Sequence, residues 1–221
     1  MLVHLIRHGE TDWNAVRRVQ GQKESQLSPL GRQQALQLAA QLATFPISRV
    51  YCSSSIRTRE TAAILFRERS LETSYHDSLR EIHLGPWEGS YYDDLAARDP
   101  EQFHNFWHCP DRFAVTGAET FQQLQLRGMQ ALESITDPLE QDEIAIVSHG
   151  ALLKAMLCHF EGRHLSRLWE PPRMANCAHS ILQLDAPGRG QILQYAGVDY
   201  RHLGQPLTKF PKDADSSSAG V

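Results

Sequence analysis

"VHLIRHGETDWN", Val3 to Asn14, decides how the rest of the chain is read. A short apolar run, residues 2–6, ends abruptly in Arg7, His8 and Gly9. The run has the length and composition of a buried strand. Charge at the end of such a strand is costly unless something there requires it. A second segment repeats the shape: "IAIV", residues 144–147, is followed by Ser148, His149 and Gly150. In an open α/β sheet, ligands bind beyond the carboxyl ends of the strands. His8 and His149 are therefore expected at one such end, with Gly9 and Gly150 letting the backbone turn sharply beside each ring. One histidine of this kind is more often a satisfied core residue. Two in matching positions weaken that reading.

Working outward, Ser28-Pro29 reads as an N-cap with proline at the first helical position. The helix after it carries Leu30, Ala35, Leu38, Ala39 and Leu42 at helical spacing. Residues 49–52 form a second strand, 56–69 a helix and 72–76 a weaker strand. The segment from Trp87 to Gly117 is aromatic and punctuated by Pro100 and Pro110, as expected of short helices over the sheet edge. Residues from Thr116 to about Thr136 begin with cap-like residues and continue as a helix. After the 144–147 strand come a helix over 151–160 and two late strands, 180–184 and 191–195, joined at Pro187-Gly188. Alternating strands and helices predict a three-layer α/β/α sandwich with a mostly parallel central sheet. We read residues 1–203 as one domain with a helical lid at about 87–117, and 204–221 as a polar, mobile tail.

Composition narrows the function classes. A net charge of −4 argues against a general nucleic-acid binder. No apolar run is long enough to span a membrane, and the chain starts directly with a strand, so a cytoplasmic location is expected. Cys52, Cys109, Cys158 and Cys177 include no C-x-x-C pair, which predicts reduced, mostly buried thiols. Ser148 lacks a G-x-S-x-G elbow, and no G-x-G-x-x-G or Walker loop appears, so neither a serine hydrolase nor a nucleotide cofactor has motif support. His104 and His108 are four residues apart and form a possible metal pair, but packing within the aromatic lid is the better reading. We expect no metal and no cofactor.

Arg57 in "CSSSIRTRETA" lies just past the second strand, near a helix start, where anions are favoured. Glu81 lies in "LREIHLGPWEG". Taken singly, each would be an ordinary surface charge. Together the residues describe phosphoryl transfer. Arg7 and Arg57 can hold the phosphoryl group, a histidine can attack phosphorus, and a carboxylic acid can protonate the leaving oxygen.

"RHGETDWN", "QGQKESQLSPLGRQQA", "SSSIRTRETA", "LREIHLGPWEG", "GAET" and "VSHG" occur in this order over about residues 2–151. The ordered set resembles the histidine phosphatase superfamily, the group that includes cofactor-dependent phosphoglycerate mutases. The resemblance implies that His8 is the nucleophile that becomes phosphohistidine. It implies that Arg7, Arg57 and His149 form the phosphate pocket, and that Glu81 is the proton donor and later the base for water. Asn14 and Gln20 match positions that often contribute polar contacts to the phosphate or substrate, and the Gly150 N–H is a further candidate donor. Glu24 and Gln26 depart from the usual pattern and put the shape of that loop in question.

Three functions fit these motifs: a phosphomonoesterase, a phosphoglycerate mutase-type isomerase and a non-catalytic phosphoryl-binding module. The intact His8, Arg57, Glu81 and His149 set argues against the last. The glycolytic mutases carry a longer, basic insertion between the acid and the "GAET" segment. Here only about 35 residues intervene, with Arg98 and Arg112 but no lysine. Hydrolysis of a small phosphorylated metabolite is therefore expected, by a monomer or homodimer without nucleic-acid or membrane partners.

Overall fold

The computed structural model describes residues 1–137 and 143–200. A seven-stranded sheet in the order β3-β2-β4-β1-β5-β6-β7 forms the middle layer. Its strands are β1 (Leu2–Arg7), β2 (Ile47–Ser53), β3 (Glu72–His76), β4 (Glu143–Ser148), β5 (His179–Ala186), β6 (Arg189–Tyr195) and β7 (Val198–Asp199). The first four run parallel, and β5, β6 and β7 add antiparallel ladders beside β1. The helices are α1 (Asp12–Ala15), α2 (Pro29–Leu42), α3 (Ile56–Leu65), α4 (Tyr92–Arg98), α5 (Pro100–His108), α6 (Phe121–Ile135) and α7 (Gly150–Phe160). None is long and apolar enough to cross a membrane.

The apolar runs of β1 and β4 are continuous because both faces of these central strands are covered. Val3, Leu5, Ile144 and Ile146 face a core shared with α6 and α7. Ile6, Ala145 and Val147 face a second core with Ala35, Leu38 and Leu42 of α2 and Ala62 and Leu65 of α3. β1 pairs with β4 in register from Leu2↔Glu143 to Arg7↔Ser148. That register brings His8 and His149 out at the same edge, and their ring centroids lie 5.3 Å apart.

Ser28 caps α2 as expected, its hydroxyl accepting from the Gly31 N–H at 3.0 Å. Leu30 is not on the core face: it is 49% exposed, one residue past Pro29 and turned outward. α3 stops at Leu65 rather than continuing to Arg69: its buried cap, Phe66, leaves helical geometry with φ −116° and ψ 16°. The cap of α6 is Thr120, which forms a reciprocal capping box with Gln123. The segment expected as a lid forms α4 and α5, and Phe106 of α5 packs against Phe121 of α6 at 5.3 Å and Trp169 at 5.5 Å. The proposed boundary of the C-terminal tail lies outside the described residues.

β1 also carries an internal histidine. His4 is fully buried and bridges Glu143 Oε2 through Nε2 at 3.0 Å and His179 Nε2 through Nδ1 at 2.9 Å. A carboxylate only accepts, so His4 Nε2 carries the proton and Nδ1 accepts from His179. The chain of bonds is complete with both rings neutral.

Candidate active site

The carboxyl end of β1 is held from three sides. The His8 N–H donates to Ser148 O at 3.0 Å, and the His8 carbonyl accepts from the Cys177 N–H at 3.1 Å and Asn176 Nδ2 at 3.3 Å. The His8 ring is 2% exposed, and Nδ1 lies 2.7 Å from Gly9 O. A carbonyl only accepts, so Nδ1 is protonated and the lone pair is at Nε2. The Gly9 N–H donates to Thr61 Oγ1 at 3.1 Å, and the Thr61 hydroxyl donates to Arg57 O at 2.7 Å. The two glycines serve close approach rather than the sharp turns expected of them, and neither has a positive φ. A Cβ on Gly9 would lie 2.5 Å from Gly31 O, and one on Gly150 would lie 3.2 Å from Arg7 Nε.

Arg57 is fully buried, although its position near a helix start resembles that of a surface arginine. Its Nη1 and Nη2 donate to Lys23 O at 2.9 Å and Gly21 O at 2.8 Å. Its Nε donates to His149 Nδ1 at 3.2 Å. His149 Nδ1 therefore accepts, and Nε2–H faces Ser53 Oγ at 2.8 Å. In this arrangement His149 orients Arg57 as well as standing beside His8.

Arg7 donates through Nη1 to Met174 O, while its Nε is buried without a hydrogen-bond partner. An unsatisfied buried cationic donor is costly and suits an anion. The Glu81 carboxylate accepts from Ala151 N at 3.1 Å, Leu152 N at 3.1 Å and Ile82 N at 3.0 Å. It thus caps the start of α7, immediately beside the Gly150 N–H. Asn14 Oδ1 accepts from Thr11 N at 3.2 Å and Asn176 Nδ2 at 3.3 Å. Gln20 Oε1 accepts from Thr11 Oγ1 at 3.0 Å and Ser25 Oγ at 2.5 Å. Both amide oxygens are occupied, leaving each NH2 group available as a donor.

The histidine phosphatase superfamily (branch 1) model matches residues 3–196. The chain belongs to this superfamily. It is 31% identical to the probable phosphoglycerate mutase GpmB of Shigella dysenteriae over 209 residues, covering 92% of this chain and 95% of that protein. It is 35% identical to the metal-independent phosphoserine phosphatase of Arabidopsis thaliana over 156 residues, 69% of this chain and 65% of that one. Among solved structures, Bacillus stearothermophilus YhfR superposes with a TM-score of 0.84 at 37% identity, covering 89% and 96% of the two chains.

Several residues around this histidine phosphatase site are not legible from local sequence. Tyr92 packs between Phe103 and Trp107 at 6.4 and 5.7 Å, and its N–H donates to Arg17 O at 3.2 Å. Burial and the Glu81 charge push its hydroxyl up to about 12, so it stays protonated at neutral pH. Arg127 pairs with Glu119 at 2.8 Å and donates to Ser78 O, Arg80 O and Glu81 O, fixing the loop that carries the acid after β3. Glu119 lies in the recognised "GAET" motif, but Arg127 has no motif signal. The rings of His104 and His108 lie 4.8 Å apart on α5, and no cluster of three or more metal-binding side chains occurs among the described residues. All four cysteines are free thiols.

Burial holds His8 well below the usual imidazole range, with Arg57 and Arg7 pushing further in the same direction. His149 is lowered by burial, Arg57 and His8. Burial lowers His4, and burial with His4 lowers His179 to about 3. His8 is therefore neutral and nucleophilic at neutral pH. The same shifts predict acid instability. Below pH about 6.5 the unfolded chain takes up protons at these four histidines that the folded protein refuses, so stability rises with pH in that range. Each contributes up to about 1.4 kcal/mol per pH unit until its folded pKa is reached. Urea unfolding should show stability falling from pH 6.5 downward, well above the carboxylate range. A flat profile between pH 7.5 and 5 would contradict these assignments.

Proposed function

We propose that this protein is a metal-independent phosphomonoesterase acting on a small phosphorylated metabolite through a phosphohistidine on His8. The carrying observation is the Nδ1–H bond from His8 to Gly9 O, which aims a free Nε2 lone pair beside half-buried Arg7 and buried Arg57. In the first step Nε2 forms a bond to phosphorus and the ester P–O bond breaks. Protonated Glu81 transfers its proton to the departing oxygen. In the second step Glu81 removes a proton from water, whose oxygen attacks phosphorus. The P–N bond breaks, and phosphate leaves with His8 neutral again. Arg7 and Arg57 carry the charge on the equatorial oxygens throughout.

Two observations favour water over a returning substrate as acceptor. The segment between Glu81 and Gly117 is short. Its inward face is aromatic, with Trp87 and Phe113 centroids 5.1 Å apart, and Arg98 is turned to Ser90 at 3.3 Å. Incubation with 3-phosphoglycerate and a trace of 2,3-bisphosphoglycerate should release inorganic phosphate. Rapid isomerisation with little phosphate release would make the protein a mutase.

A further inference from the structure

Glu88 is a charged side chain that the phosphoryl chemistry does not use, yet it is 9% exposed and lies within the fold. Its Oε1 accepts from two backbone donors on separate arms of the site. One is the Gln22 N–H at 2.8 Å, and the other is the Leu84 N–H at 3.0 Å. His83 Nδ1 approaches the same oxygen at 3.2 Å. The backbone of Glu88 is engaged too, because Lys23 Nζ donates to its carbonyl at 2.8 Å. The turn is moulded around this carboxylate. Gly21 has φ +54°, and a Cβ there would lie 2.3 Å from Glu88 Oε1.

Each arm carries part of the site. The 21–23 turn supplies both carbonyls that hold Arg57, from Gly21 and Lys23. Its Gln22 side chain donates to Glu81 O at 3.1 Å, and its Gln22 carbonyl accepts from Arg80. Leu84 lies three residues past Glu81 on the other arm. Glu88 is thus the one side chain among the described residues that hydrogen-bonds the backbone of both the Arg57 cradle and the acid-bearing segment.

We propose that Glu88 is a positioning residue that sets the distance between the Arg57 phosphate clamp and the Glu81 acid. This rests on the phosphomonoesterase reading of the site. What the brace requires is reach: one acceptor oxygen at a fixed distance from two N–H groups. Charge is secondary, since no arginine or lysine among the described residues pairs with the carboxylate, and the His83 ring beside it is half-exposed. Glu88→Gln keeps the reach and removes the charge. Glu88→Asp keeps the charge and withdraws the oxygen by one methylene, so it cannot span both arms.

The experiment measures inorganic phosphate binding by calorimetry. It also measures kcat on p-nitrophenyl phosphate, whose leaving group needs no proton, and on glycerol phosphate, whose alkoxide does. Melting temperatures of both variants establish that they fold. Glu88→Asp should bind phosphate about tenfold more weakly, equivalent to about 1.4 kcal/mol. It should also lose about tenfold more rate on glycerol phosphate than on p-nitrophenyl phosphate, because the acid arm matters only for the former. Glu88→Gln should stay within about threefold of the unaltered protein on all three measures. Glu88→Asp indistinguishable from the unaltered protein overturns the brace, as does Glu88→Gln as damaged as Glu88→Asp. An equal loss on both esters also overturns it, because that is generic destabilisation. If the unaltered protein neither binds phosphate nor turns over either ester, the reading of the site itself fails, and the brace falls with it.

Discussion

His8→Ala should lose at least about 10⁴-fold in phosphoester turnover while keeping its fold, since a covalent nucleophile has no substitute in such a site. The imidazole sits where four backbone contacts already fix the chain: Ser148 O, Cys177 N, Thr61 Oγ1 through Gly9 N, and Ala178 O through Arg7 N. None of them involves the ring, so the strand end keeps its path when the ring is removed. The stability change should be modest, about 1–3 kcal/mol, as for other buried truncations. Circular dichroism and a urea titration check the fold, and phosphate release checks turnover. Activity within about tenfold of the unaltered protein would remove His8 from the mechanism.

Arg57→Ala should be the next most damaging change, with kcat/KM down about 10³-fold, the scale of losing a preorganised charge at a transition state. Arg57→Lys should rescue little of it. The guanidinium uses three separate nitrogens on Gly21 O, Lys23 O and His149 Nδ1. A single ammonium cannot occupy those three directions, and it lacks the planar fork that meets two phosphate oxygens. Burial also lowers the Arg57 guanidinium to about 10, and it is still cationic at neutral pH. A lysine so enclosed would surrender its proton more readily. Steady-state kinetics and phosphate calorimetry on both variants decide the point. Arg57→Lys within about tenfold of the unaltered protein would show that charge alone suffices.

The parts of the fold readable from sequence are those whose pattern is local. β1 and β4 announce themselves as apolar runs closed by His-Gly, and β3 at Glu72–His76 matches its expected bounds. Ser28-Pro29 marks the start of α2 because capping is a matter of four adjacent residues. Arg57 shows the limit. Its spacing fits an exposed helical arginine, and only the turn at residues 21–23, folding over it from elsewhere in the chain, makes it fully buried. The Arg7 contact with Met174 and the Asn176 contact with His8 join residues more than 160 positions apart. No periodicity encodes such contacts. Tyr92 is hidden differently, because an aromatic at the start of α4 looks like any other lid residue until its neighbours Arg17, Phe103 and Trp107 are known. Even the glycines were legible in identity but not in purpose. Gly9 is needed for the approach of α2 and Gly150 for that of Arg7.

The most direct measurement is to stop the reaction with phosphoester by rapid alkaline denaturation and locate the phosphoryl group by mass spectrometry. The account predicts one alkali-stable, acid-labile phosphate on the His8 imidazole, attached at Nε2, that disappears on further incubation as inorganic phosphate is released. Phosphate released at the full rate with no phosphorylated His8, or phosphorylation at another side chain, would contradict it.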